Sequence, residues 1–171
     1  MTFQELGLHS DLLKAVTELG FQQATPIQQQ TIPLLANQRT DLVALAQTGT
    51  GKTAAFGLPL LQAIDTNDRT VQALILAPTR ELCVQITNDI RNYGKYLKGF
   101  SITAVYGGAR IDGQIKDIKK GVQIVAATPG RLIDMIERRV INLNLVKFVV
   151  VHLKEDKSSI HHLQDRFVQT K

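Results

Sequence analysis

Residues 46–53, Ala-Gln-Thr-Gly-Thr-Gly-Lys-Thr, have the types and spacing of a polyphosphate site. Glycines let backbone N–H groups approach an anion, and a helix opening at Gly51-Lys52-Thr53 aims its unpaired amides at the same point. Lys52 adds a mobile positive charge for the outer phosphates, and the Thr53 hydroxyl is an oxygen ligand suited to Mg²⁺. The usual pattern, G-x-x-x-x-G-K-[ST], begins with Gly where this chain has Ala46; Gly49 supplies the backbone freedom instead. A dinucleotide fingerprint is the rival, since Gly49-x-Gly51-x-x-Ala54 matches G-x-G-x-x-G/A. That motif wants an acid about 20 residues on, at the end of the next strand, to hold a ribose. The next apolar run, 71–77, ends in Ala77-Pro78. The polyphosphate reading stands, and a plain glycine turn leaves the Gly-Lys-Thr triplet unexplained.

Such a loop has to be held between a strand and a helix. Leu42-Val43-Ala44-Leu45 predicts a buried strand over 41–46, feeding a helix over 51–64. The chain then alternates. Strand 71–77 leads to helix 80–97, with a stripe of Leu82, Ile86, Ile90, Tyr93 and Leu97. Strand 101–106 leads to a helix bearing Ile111, Ile115 and Ile118, ended by Gly121. Strand 122–127 leads to a helix bearing Leu132, Ile133 and Ile136, and 147–151 is the last strand. This alternation predicts an α/β, three-layer fold built on a parallel sheet covered on both faces.

Two helices precede the loop. Ser10-Asp11 opens one with Leu12, Leu13, Val16 and Leu19, closed by Gly20. Thr25-Pro26-Ile27-Gln28 opens the other, with Thr25 as N-cap, Pro26 in the first turn and Gln28 where a capping-box residue belongs.

With 171 residues, 44% hydrophobic and 20% charged, the chain suits one soluble domain with a full core. The net charge of +5 leans towards a polyanionic partner. The lone Cys83 sits on a helical pattern and reads as a small core residue in a reducing compartment. No basic-then-apolar leader opens the chain and no apolar run is long enough to span a bilayer, so a cytoplasmic protein without membrane contact is expected.

In parallel sheets ligands gather beyond the carboxyl ends of the strands. Those ends carry Pro78-Thr79-Arg80-Glu81, Tyr106-Gly107-Gly108 and Thr128-Pro129-Gly130-Arg131 beside the phosphate loop. Each reads singly as a turn with a helix cap. Together they line one edge with small residues, hydroxyls and arginines, which suits phosphate oxygens.

Taken together, residues 3–151 resemble the N-terminal RecA-like domain of a DEAD-box RNA helicase, a P-loop fold. Residues 20–28 resemble that family's Q motif, with Phe3 at its isolated upstream aromatic, and 46–53 resemble motif I. Pro78-Thr79-Arg80-Glu81-Leu82 resembles motif Ia, Gly107-Gly108 the GG motif, and Thr128-Pro129-Gly130-Arg131 motif Ib. The resemblance implies ATP and Mg²⁺ as cofactors. Gln28 would read the adenine edge and Phe3 would stack on the base. The Q motif with Thr25, and Gln47, Thr48, Gly49, Thr50, Gly51, Lys52 and Thr53, would bind the nucleotide, Thr53 meeting the metal. Pro78, Thr79, Arg80, Gly107, Gly108, Thr128, Pro129, Gly130 and Arg131 would contact the backbone of single-stranded RNA.

The likeness breaks at residue 152. The family follows this strand with Asp-Glu-Ala-Asp, whose first acid anchors Mg²⁺ and whose second prepares the attacking water. Here His152-Leu153-Lys154-Glu155 follow, and residues 152–171 form a divergent tail. The expectation is therefore a truncated helicase domain over 1–151, incomplete at its C-terminus. It would bind ATP and, weakly, RNA without hydrolysis or unwinding. The alternative is a non-catalytic nucleotide- or RNA-binding regulatory module. By the same resemblance a central strand is missing, which would leave 41–46 and 147–151 as open, aggregation-prone edges.

Overall fold

Four short runs of small and branched apolar residues zip into one parallel sheet in a computed structural model that describes residues 1–37, 40–47 and 49–152. They are β1 (Ala73–Leu76), β2 (Ile102–Val105), β3 (Ile124–Ala127) and β4 (Phe148–Val151), in the order β2-β3-β1-β4. Ala73 stands opposite both Ile124 and Phe148, and Ile102 opposite Ile124, so every strand starts at the same level. All carboxyl ends therefore share one edge, as the alternating sequence predicts. The connections are α4 (Arg80–Tyr93), α5 (Ile111–Lys119) and α6 (Pro129–Glu137), preceded by α1 (Ser10–Glu18), α2 (Pro26–Asn37) and α3 (Lys52–Ala63).

Side chains alternate across the strands and make two cores. Ile75, Ile124 and Ala126 face Leu12, Val16, Ile32, Leu58, Ile86 and Ile90 from the first four helices. Leu74, Val125 and Ala127 face Ile118, Leu132 and Met135. Each fully buried Leu, Ile or Met side chain contributes about 1.5–3 kcal/mol. Cys83 belongs to the first core, its thiol donating to the Ala126 carbonyl at 3.1 Å. Burial pushes that thiol up to about 11, which keeps it protonated and inert.

Several expectations fail locally. Residues 40–47 form no strand, and Leu42, Val43 and Leu45 are 38%, 60% and 58% exposed. A strand exists only where a neighbour completes its ladder, and no described strand runs beside this segment. The fourth helix ends at Tyr93 rather than 97. Gly94 caps it, and a Cβ there would lie 2.6 Å from the Phe100 ring, so the chain has to turn. Ile133 is exposed, because the buried side of α6 carries Leu132 and Met135.

Full coverage of the sheet also fails, at β4. Phe148 and Val150 pack on the first core, whereas Val149 and Val151 stay exposed. Among the described strands β4 is an edge, as expected for 147–151. An uncharged apolar edge invites pairing with another chain. Val149→Lys is expected to reduce self-association by light scattering while moving the melting midpoint by no more than about 2 °C. Unchanged scattering would rule out β4 as the sticky edge.

Among the described residues no helix is long and apolar enough to cross a membrane.

Candidate functional site

The phosphate loop is shaped by Gly49 (φ 78°) and Gly51 (φ 84°), both in the left-handed region that other residues enter at a cost. Gly51 is also the N-cap of α3 and makes no side-chain cap bond to its first turn. A Cβ on Gly51 would sit 2.3 Å from Gln28 Nε2, so this glycine is required by space as well as by φ. Lys52 Nζ donates to the Ala46 carbonyl at 2.7 Å, and Thr50 Oγ1 donates to the Gln47 carbonyl at 2.6 Å. The Thr53 hydroxyl turns to Asp89 on α4. Burial raises the Asp89 carboxyl, and the hydrogen bond from Thr53 pulls it partly back. Thr48 lies outside the described residues.

The segment before α2 sits directly on this loop. Gln28 is 3% exposed, its Oε1 accepting the Thr25 N–H at 2.9 Å and its Nε2 donating to the Gly51 carbonyl at 3.1 Å. Capping and loop contact are thus made at once by one side chain. Only the return half of the expected capping box forms, since the Thr25 hydroxyl is buried without a partner. That orphaned oxygen lies 3.5 Å from where a Gly51 Cβ would be, so it faces the loop. Phe3, expected beside a base, is 4% exposed and packs on Phe21 with ring centroids 5.9 Å apart. In this state its ring is a core element.

The next three strand ends form a second surface. Arg80 is exposed and lies over the Tyr106 ring, 4.8 Å from its centroid. Thr79 caps α4 by accepting the Leu82 N–H at 3.3 Å, whereas Thr128, the N-cap of α6, makes no such bond. Gly108 has φ 79° and its Cβ position is 3.9 Å from Arg80 Nη1. Arg131 donates to the Ala109 carbonyl from Nη1 and Nη2, at 3.4 and 3.3 Å, and to Gln114 Oε1 at 3.0 Å. Pro78, Gly107, Pro129 and Gly130 are exposed around them.

Two polar residues at these surfaces escape the sequence reading. Gln114 interrupts the apolar stripe of α5 between Ile111 and Ile118, which was a usable signal. Asp89 has none, because its role comes from the packing of α4 on α3.

His152 closes β4. Its N–H donates to the Leu76 carbonyl at 2.9 Å, and its ring lies edge-on to Phe56, 6.4 Å between centroids. Phe56 is one turn along α3 from Thr53, so the position expected to carry an acid does border the phosphate loop helix. Leu153 and the rest of the tail lie outside the described residues. Among the described residues no three His, Cys, Asp or Glu side chains group closely enough to hold a metal alone.

Comparison with known proteins finds relatives in sequence and in fold. A model of the DEAD/DEAH box helicase family matches residues 25–156. The chain is 46% identical over 165 residues to the DEAD-box ATP-dependent RNA helicase CshA of Streptococcus pneumoniae, covering 96% of this chain and 31% of that protein. Against CshA of Bacillus subtilis it is 45% identical over 166 residues, covering 96% and 33%. The chain thus spans about a third of the length of these curated relatives. A crystal structure of a DEAD box protein from Methanococcus jannaschii superposes with a TM-score of 0.86 at 38% identity, over 98% of this chain and 45% of that one. Dbp5 of S. cerevisiae bound to RNA and ADP BeF3 shares the fold, with a TM-score of 0.82 at 24% identity, over 99% and 50%.

Proposed function

The chain belongs to the DEAD/DEAH box helicase family, and we propose that residues 1–151 act as its N-terminal RecA-like domain, binding ATP with Mg²⁺ and the backbone of single-stranded RNA without hydrolysing or unwinding. The observation that carries the reading is the seat of Gln28, bonded to Thr25 on one side and to the phosphate loop at Gly51 on the other. It links the element expected to meet adenine to the one expected to meet phosphate.

The residues present fit a nucleotide. Gln28 Nε2 occupies the space that a Gly51 Cβ would need, the Thr25 hydroxyl lies beside it unpaired, and Gly51 puts no side-chain cap on the start of α3. They fit Mg²⁺ at Thr53, whose hydroxyl can give a lone pair to a cation while donating its proton to Asp89. When bound, the cation would neutralise charge on the phosphate oxygens. Lys52 would exchange the Ala46 carbonyl for phosphate, and Gln28 would exchange the Gly51 carbonyl for the base edge. Thr79, Arg80, Gly108, Thr128 and Arg131 would meet RNA phosphates, giving binding that does not read sequence and weakens steeply with salt. His152 at the acid position equally favours a second reading, a regulatory module that binds and does not turn over. The single buried thiol, Cys83, supports a reducing, cytoplasmic setting.

Calorimetric titration tests the nucleotide site. Lys52→Ala is expected to weaken ATP binding by about ten- to a hundredfold, the loss of one charge-assisted phosphate contact worth about 1.5–3 kcal/mol. Equal affinity in variant and parent would remove the proposed site. GTP binding as tight as ATP would remove the role of Gln28.

A further inference from the structure

Gln114 is 8% exposed on the buried side of α5. A glutamine there is unfavourable unless its amide finds partners. It finds three. Oε1 accepts the Tyr106 N–H at 3.3 Å and Arg131 Nη1 at 3.0 Å, while Nε2 donates to the Tyr106 carbonyl at 3.1 Å. This pattern fixes which way the amide points, because a flipped group would set N–H against N–H at both Tyr106 and Arg131. Tyr106 in turn carries Arg80 on its ring, and Arg131 also grips Ala109. One side chain therefore joins the loop after β2 to the start of α6 and, through Tyr106, to the start of α4.

We infer that Gln114 is a positioning residue for RNA phosphate binding, presetting Arg131 directly and Arg80 through Tyr106. This rests on the RNA-facing reading proposed above. An arginine held in place before binding loses less side-chain freedom on meeting a phosphate. The Arg131 side chain is 13% exposed, and its Nε also lies 3.9 Å from Asp134 Oδ2.

The test is fluorescence anisotropy with a labelled oligouridylate and a labelled mixed-sequence RNA, from about 50 to 200 mM salt. Arg131→Ala is expected to weaken both RNAs alike by roughly tenfold, and to lower the log–log salt slope by about 0.7 for one lost phosphate contact. Gln114→Leu should lower the slope by a similar amount. In the Arg131→Ala background it should add little, since the contact it serves is gone. A merely structural glutamine would lower the melting midpoint, keep the parental slope and add its full effect to Arg131→Ala; that result overturns the inference. Should Gln114→Leu fail to fold, Gln114→Glu decides. It keeps the acceptor but neutralises Arg131, so a parental slope in that variant also overturns it. A parent whose RNA binding ignores salt overturns the RNA-facing reading and the inference together, whereas a salt-dependent parent isolates Gln114.

Discussion

Phosphate release from ATP is expected to be no faster with this chain than with its Lys52→Ala variant, with or without RNA. The reason lies in one position. His152 follows β4, tied to the sheet through its N–H on Leu76 and packed edge-on to Phe56, one turn from Thr53. It therefore borders the phosphate loop where the family resemblance expects an acid. An imidazole cannot replace that acid as a hard anionic ligand, because Mg²⁺ takes oxygen and holds water through it. Losing a positioned acid–base group typically lowers a rate by about 10²- to 10⁴-fold. Asp89 keeps a half-buried carboxyl near Thr53, but it is already engaged by that hydroxyl from the side of α4. Nucleotide binding should survive, since Gln28 is held by Thr25 and Gly51. RNA-stimulated release above the Lys52→Ala control would refute the non-catalytic reading. Binding and hydrolysis should thus separate in one pair of assays.

What the sequence makes legible here is what local chemistry decides. Helix boundaries set by Gly51, Pro129 and Gly121, and strands of near-continuous apolar residues, need no distant partner to be read. The parallel order follows, and with it the shared edge that holds Thr79, Gly108, Thr128 and Arg131. Leu42-Val43-Ala44-Leu45 reads as a strand just as strongly, yet forms none in the structure, because pairing belongs to the neighbour and not to the run. Ile133 misleads for a related reason. Its spacing fits a helix, but which third of that helix is buried depends on where β1 and β3 lie. Gln28 shows a different limit: capping and base recognition look like rival readings in sequence, and the amide bonds Thr25 and also the Gly51 carbonyl, a contact that neither reading named. The buried Gln72 and Gln123 were illegible altogether. Their partners are backbone groups brought together from remote loops.

The largest stability effect is expected from one of those, Gln123. It stands just before β3, fully buried, at the sheet edge opposite the candidate site. Its Oε1 accepts the Ser101 N–H at 2.9 Å, and its Nε2 reaches the carbonyls of Thr66, Asp68 and Gly99 at 3.2, 3.1 and 3.3 Å. Gln72, equally buried before β1, does the same for Asp65 and shares the Asp68 carbonyl at 3.0 Å. The loops they pin are tightly packed. A Cβ on Gly99 would lie 3.0 Å from the Thr66 carbonyl and one on Gly121 2.8 Å from Arg69. Gln123→Leu fills nearly the same volume but strands one N–H and up to three carbonyls. Each unsatisfied buried group costs about 1–3 kcal/mol, partly recovered as the loops shift. A loss of about 3–6 kcal/mol is expected, a large share of the roughly 5–15 kcal/mol a domain has. In urea the midpoint should fall with the slope unchanged, and on heating the melting point should drop by about 8–20 °C. Gln72→Leu should lose less, and the pair should depart from additivity by at least about 0.5 kcal/mol through Asp68. If Gln123→Leu instead unfolds within about 1 kcal/mol of the parent, the range of ordinary substitutions, then water takes over these groups and the amide does not hold the loops.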